Sequence, residues 1–246
     1  MLARFDQAAS GPCLNLRAMD WATQADALLY ASPADREERV EVLHAVIEAS
    51  GLATLVTAGA SALHATHLPM LLERSGAYGV IRGHVARANV QWSDLNAEIP
   101  ALAIFRLAGA YISPSWYATT TQTGKVVPTY DYIAVHAAGT IAFFDDRTRL
   151  LQLVEQLTVR FESGFERPWR VADAPREYID AMLGAIVGFE LRVDALTGSL
   201  KLSQSRNQAD RDGVVAGLSA SQRYEDRVVA ELVRDPQGVV DMKEFT

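Results

Sequence analysis

The sequence predicts an α+β fold in which a mainly antiparallel β-sheet or barrel is decorated with helices. Short apolar, β-rich segments follow one another from residue 52 to residue 144. Glycines punctuate them, and no long helix intervenes. With 246 residues, 49% of them hydrophobic, the chain can bury a sizeable core.

Residues 1–29 show weak periodicity and read as an N-terminal extension, with a helix expected in DWATQADALLY. A helix is expected from Ser32, which can cap it, with Pro33 in its first turn and Asp35 returning a bond. Val40, Leu43 and Ile47 fall on one face, and Gly51 marks its stop. LATLVTA, ALHATHLPMLL, YGVIRGH, ALAIFRL, KVVPTYDYIAV and GTIAFF read as successive strands, with turns at Gly59, Ser75-Gly76, Gly109, Gly124 and Gly139. Helices return at DDRTRLLQLVEQLTVRFES, where Leu150, Val154, Leu157 and Phe161 share a face, and at PREYIDAMLGAIV. FELRVDAL and SLKLSQ read as two more strands, so the helices are inserted into the order of the sheet. A single α+β domain decorated with helices is thus expected over 30–220, with a helical tail over 221–246.

Composition excludes several chemistries. One cysteine, Cys13, rules out a disulfide framework and a Cys-rich zinc site, and fits a cytoplasmic protein. No apolar run reaches the roughly 18 residues that span a bilayer, and Asp6, Asp20 and Asp26 argue against a signal peptide. A net charge of −7 argues against direct DNA binding, which draws most of its affinity from phosphate neutralisation. Dinucleotide-binding, P-loop and Gly-x-Ser-x-Gly signatures are absent. His64 and His67 are three apart in a strand and point to opposite faces, so no metal site is expected there.

VIRGHVARANVQW is the most informative segment. Gly83 marks either a turn or a close approach of ligand to backbone, and Val85, Ala86, Ala88 and Asn89 suit a short helical turn whose N–H groups can meet an anion. Arg82, His84 and Arg87 supply charge and hydrogen bonds, unless they are simply the solvated end of a strand. Tyr111, Trp116, Tyr117, Tyr130 and Tyr132 surround a threonine-rich loop, suited either to sandwiching a flat ring or to a sheet edge. Lys201, Ser203, Gln204 and Arg206 end the last strand.

HATHLPMLL, RGHVARANVQW, AYISPSWY, GKVVPTYDY and KLSQSR, in that order and spacing, resemble the PaiB-like family of FMN-binding negative transcriptional regulators. The resemblance runs from about Tyr30 to about residue 220. It implies an FMN-binding split β-barrel similar to pyridoxamine 5′-phosphate oxidases, working as a homodimer with flavin at the interface. By that resemblance Thr66, His67 and Leu68 lie along the isoalloxazine, and Arg82, Gly83, His84, Arg87 and Asn89 hold the phosphate, Arg87 as the main cation. Lys125, Thr129 and Tyr130 reach the flavin from the partner chain.

The sequence departs from the family where Pro33-Ala34-Asp35 replaces Pro-His-Phe, where Tyr130-Asp131 replaces Trp-Asn, and where Ser205 replaces Asn. An extra carboxylate beside the flavin would oppose anion binding. Two other readings follow: an FMN-dependent oxidoreductase, and a barrel that has exchanged flavin for another ligand such as haem.

Overall fold

The computed structural model describes residues 28–60 and 62–241. The helix expected in DWATQADALLY lies largely outside them. Ser32 starts a turn, with Asp35 and Arg36 N–H donating to its carbonyl and its Oγ donating to Asp35 Oδ2 at 2.7 Å. The chain then forms β1 (Arg36–Glu37), paired with β8, and the helix α1 begins only at Val40 (Val40–Ala49). Pairing with a distant strand overrides the local capping signal.

Next come β2 (Ala53–Ala58), β3 (Leu63–Leu68), β4 (Leu71–Glu73), β5 (Val80–Ala86) and β6 (Ala101–Ile112). A short helix α2 (Thr119–Thr123) precedes β7 (Thr129–Phe144). The helices α3 (Arg147–Glu162) and α4 (Arg176–Gly184) lead into β8 (Ile186–Lys201), and α5 (Gln208–Ser219) and α6 (Tyr224–Arg234) follow.

The sheet order is β3-β2-β6-β7-β8-β5-β4 with β1 beside β8, and all pairs are antiparallel. ALHATHLPMLL is two strands, because Pro69 interrupts the ladder. Conversely, YIAV and GTIAFF are one strand, as are FELRVDAL and SLKLSQ. Gly139 marks a bulge: a Cβ there would lie 1.9 Å from the Arg192 carbonyl oxygen. Glycine in these strands serves close packing where a turn was expected.

The sheet curls until β3 meets β5. Leu68 of β3 packs on Gly83 of β5, and Asn89 beyond β5 donates to Thr66 of β3 at 2.8 Å. The two strands form no backbone ladder, so side chains close this seam. Leu55, Phe105, Ile133, Phe189 and Leu191 fill the interior. Leu43 of α1 sits over Gly198, and Val229 and Val233 of α6, from the segment expected as a tail, enter the same core.

In α3 the buried face is Leu150, Leu153 and Leu157, while Phe161 is exposed beneath the Arg160 guanidinium. Arg160 donates to the carbonyls of Met70 (2.5 Å), Glu48 (2.5 Å) and Ser50 (3.0 Å). One guanidinium thus ties α3 to the ends of α1 and β3, satisfying carbonyls that lack a ladder partner.

Candidate functional site

The alternation of β5 sorts VIRGHVARANVQW into two faces. Ile81, Gly83 and Val85 point into the barrel, while Arg82 and His84 point to the other side. Gly83 lacks a side chain because a Cβ would stand 2.7 Å from the Phe189 ring and 2.9 Å from Leu68. Core packing therefore accounts for it without a ligand. Arg82 is engaged by carboxylates: Nε to Glu190 at 2.9 Å and Nη1 to Glu73 at 2.5 Å. Glu190 also receives Arg149 at 2.7 Å. A phosphate at Arg82 would have to displace these carboxylates. Burial pushes the His84 imidazole below its usual range, and its Nδ1 has no hydrogen-bond partner among the described residues.

The helical turn expected over residues 85–89 forms later, as a single 3-10 turn at Val90–Trp92 capped by Asn89. The strand continues to Ala86, and three N–H groups beyond it have acceptors: Arg87 N–H gives to Ala185 O, Asn89 N–H to Ala86 O, and Gln91 N–H to Asn89 Oδ1. Tight pairing of β5 with β8 carries the ladder one turn further than the local sequence indicates.

Arg87 is different from Arg82. Its Nε donates to Gly184 O at 2.8 Å and Nη2 to Ile186 O at 3.1 Å, at the C-terminal end of α4, where carbonyls favour a cation. Two of the five guanidinium donors are so engaged. The remaining edge is partly exposed and, among the described residues, is ion-paired with the exposed Asp145 at 3.6 Å. A guanidinium anchored on one edge, with only a long contact to an exposed carboxylate on the other, fits a phosphate that displaces Asp145.

Beside it lies a closed network. Asn89 gives to Thr66, Thr66 gives to Gln91 Oε1 at 2.6 Å, and Gln91 gives to Leu55 O at 3.2 Å. Gln91 is fully buried. It was not among the expected site residues, although it stands in the quoted segment two positions after Asn89; a lone glutamine has no residue pattern to signal burial. His64, on the inner face, meets Asp94 at 2.8 Å, and His67, on the outer face, meets Thr54 at 2.8 Å. The two histidines do point apart, and no cluster of metal-ligating side chains occurs among the described residues. No helix among those residues is long and apolar enough to cross a membrane.

Lys125, Thr129 and Tyr130 lie elsewhere. Thr129 accepts from Lys201 Nζ at 2.5 Å at the far end of β8, whereas Arg87 adjoins its start. The strand between them has 16 residues, roughly 50 Å of path. One chain therefore brings Thr66, Asn89 and Arg87 together and leaves Lys125, Thr129 and Tyr130 remote. Of the aromatics, Tyr111 and Tyr130 face each other across strands and are exposed. Trp116 packs on Gly217 of α5, and Tyr117 is buried under the Arg206 guanidinium, 4.3 Å from its ring centre.

Asp131 is fully buried on the barrel side of β7. Its Oδ2 accepts from Ser203 Oγ at 2.6 Å, and its Oδ1 has no hydrogen-bond partner among the described residues. Burial pushes this carboxyl up to about 6, against the pull of Ser203 and Lys201.

A family model described as "Putative FMN-binding domain" matches residues 29–195. An uncharacterized protein of Emericella nidulans is 30% identical over 87% of this chain and all of its own length. The protease synthase and sporulation protein PAI 2 of Bacillus subtilis is 30% identical over 77% of this chain and 88% of its own. Among solved structures, the flavocytochrome Anf3 of Azotobacter vinelandii superposes with a TM-score of 0.50 at 13% identity, covering 72% of this chain and 74% of that one. The FAD- and haem-binding protein of Mycobacterium smegmatis does so with a TM-score of 0.50 at 18% identity, covering 74% and 80%. At such identities the superpositions speak for the fold alone. The curled antiparallel sheet, the family match over most of the chain and the PAI 2 relative agree, and the chain belongs to the PaiB-like family of FMN-binding split-barrel proteins.

Proposed function

We propose that this chain binds FMN as a homodimer and acts in a PaiB-like regulatory role without gripping DNA itself. The observation that carries the flavin reading is Arg87, fixed on two carbonyls with its other edge met by the exposed Asp145 alone among the described residues, next to the Thr66–Asn89 pair. In this reading Arg87 holds the phosphate, Thr66 and Asn89 fix the seam beside it, and His67 and Leu68 flank the ring system. Arg82, His84 and Gly83 shape the strand that presents Arg87.

Lys125, Thr129 and Tyr130 belong to the same site only through a second copy, whose far β7–β8 end would meet this seam. A bound flavin supplies reversible one- and two-electron chemistry, so the same site also suits an FMN-dependent oxidoreductase. The net charge of −7 favours regulation through a partner protein or through metabolism over direct contact with DNA.

The test is FMN titration of wild type and Arg87→Ala, with riboflavin in parallel. Loss of one charge-assisted phosphate contact should weaken FMN roughly ten- to hundredfold and leave riboflavin unchanged. Equal loss for both ligands, or for neither, retires Arg87 as the phosphate ligand. The absorption spectrum of the purified protein separates flavin from haem, the second cofactor of the Mycobacterium smegmatis structure.

A further inference from the structure

The far end of β7 and β8 carries donors that lack acceptors. Lys201 Nζ is partly buried, and its one hydrogen-bond partner among the described residues is the neutral Thr129 hydroxyl. Arg206 is half-buried and stacks on the Tyr117 ring, with no carboxylate in ion-pair contact among those residues. The buried Tyr117 hydroxyl has no well-formed hydrogen bond. Arg206 lies in the field of the ionised Asp210, whereas Lys201 has no carboxylate in ion-pair contact among the described residues, and a partly buried cation of that kind is complementary to an anion.

Asp131 interacts electrostatically with both Lys201 and Tyr117. Ser203, whose Oγ binds Asp131, holds a left-handed backbone (φ 55°) that non-glycine residues adopt only when their surroundings impose it. Its turn joins Lys201 to Arg206, and Arg206 N–H donates to Ser203 O.

We propose that Lys201, Thr129 and Arg206 form a subsite for a small oxyanion, and that the buried Asp131 gates it by protonation. The subsite stands apart from the flavin reading and shares only Thr129 with it. With Asp131 neutral, Lys201 faces an incoming anion with no buried carboxylate charge beside it, and Arg206 adds its charge against the constant field of Asp210. With Asp131 ionised, an internal carboxylate holds Lys201 and repels the ligand.

The groups facing Asp131 are Ser203 and Lys201 from the end of β8, Asp35 from the turn before β1, and Tyr117 from the loop after β6; Arg206 and Asp210 act on Tyr117. Asp210 is itself engaged by Thr119 and Asn207, and burial raises the Tyr117 hydroxyl, so neither changes charge near pH 6.

The experiment follows the Lys201 side-chain CεH2 resonance during sodium sulfate titration of the full chain, against sodium chloride at matched ionic strength. Sulfate keeps its charge between pH 5 and pH 8, and no flavin is added, so failure of flavin binding does not affect the outcome. Wild type should bind sulfate about tenfold more tightly at pH 5 than at pH 8, the effect of one charge placed within a few ångströms. Asp131→Asn should bind tightly at both values. Lys201→Met, which keeps most of the stem and identifies the resonance by its loss, should bind weakly at both by isothermal titration with the same sulfate solutions. A Lys201 resonance that ignores sulfate at pH 5, that moves no more than other lysine resonances, or that keeps its pH dependence in Asp131→Asn overturns the proposal. Thr129→Val, which removes a hydroxyl at nearly constant volume, should lower affinity at pH 5 even if Lys201→Met proves unstable.

Discussion

Ser203 Oγ donates a 2.6 Å hydrogen bond to Asp131 Oδ2 across 72 residues of sequence, at a point where both residues are buried. The bond ties the turn after β8 to the interior of β7 and leaves the second carboxylate oxygen without a partner among the described residues. An ionised carboxylate in that position is destabilising, and a protonated one much less so.

The first prediction concerns stability against pH. Asp131 has a folded-state value of about 6, raised above the ordinary 3.8. The folded protein therefore holds a proton that the unfolded chain releases between those values. This contribution is fully present below about pH 4 and is lost as pH rises through about 6. Relative to Asp131→Asn, wild type should lose roughly 3 kcal/mol of stability between pH 4 and pH 7.5. Urea unfolding of both proteins across that range gives the difference directly, and two parallel curves would refute the assignment.

Gln91 predicts a second effect. It is fully buried and joins Thr66 to the Leu55 carbonyl, so Gln91→Leu leaves polar groups of both strands without their partner. A loss of roughly 1–3 kcal/mol is expected from such buried polar groups. Thermal unfolding checks it. Hydrogen exchange should also show the β3–β5 seam opening in the variant before the β7–β8 ladder does.

Gly83→Ala separates packing from ligand approach. Its Cβ would press on Phe189 and Leu68, and overpacking of this kind costs roughly 1–3 kcal/mol. A lowered unfolding midpoint, recovered in part by Phe189→Leu, is the expected outcome. Full stability with FMN binding abolished would instead assign Gly83 to the ligand.

Much of the fold is legible in local residue patterns. The apolar runs, the helix face around Leu43 and Ile47, and the inserted helices before β8 all follow from periodicity. Strand boundaries are less legible, because Gly139 and Gly198 carry the same signal whether a chain turns or another backbone or side chain presses close. The candidate site divides in the same way. VIRGHVARANVQW identifies its cations as a group and the family resemblance singles out Arg87, but no local residue pattern shows Arg82 neutralised by Glu73 and Glu190 while Arg87 is anchored on carbonyls and meets the exposed Asp145. The partners come from β4, β8 and the end of α4, and only folding brings them near.

By itself, the sequence determined the α+β class, the family and the segment that carries the arginine proposed to bind phosphate, because these rest on short-range pattern and motif order. The tertiary structure alone decided that Gly83 serves the core, that Gln91 closes the seam, and that Asp131 lies buried against Ser203. Each of these depends on contacts between residues tens of positions apart, and the free energy of a charge or polar group is set by what surrounds it in space.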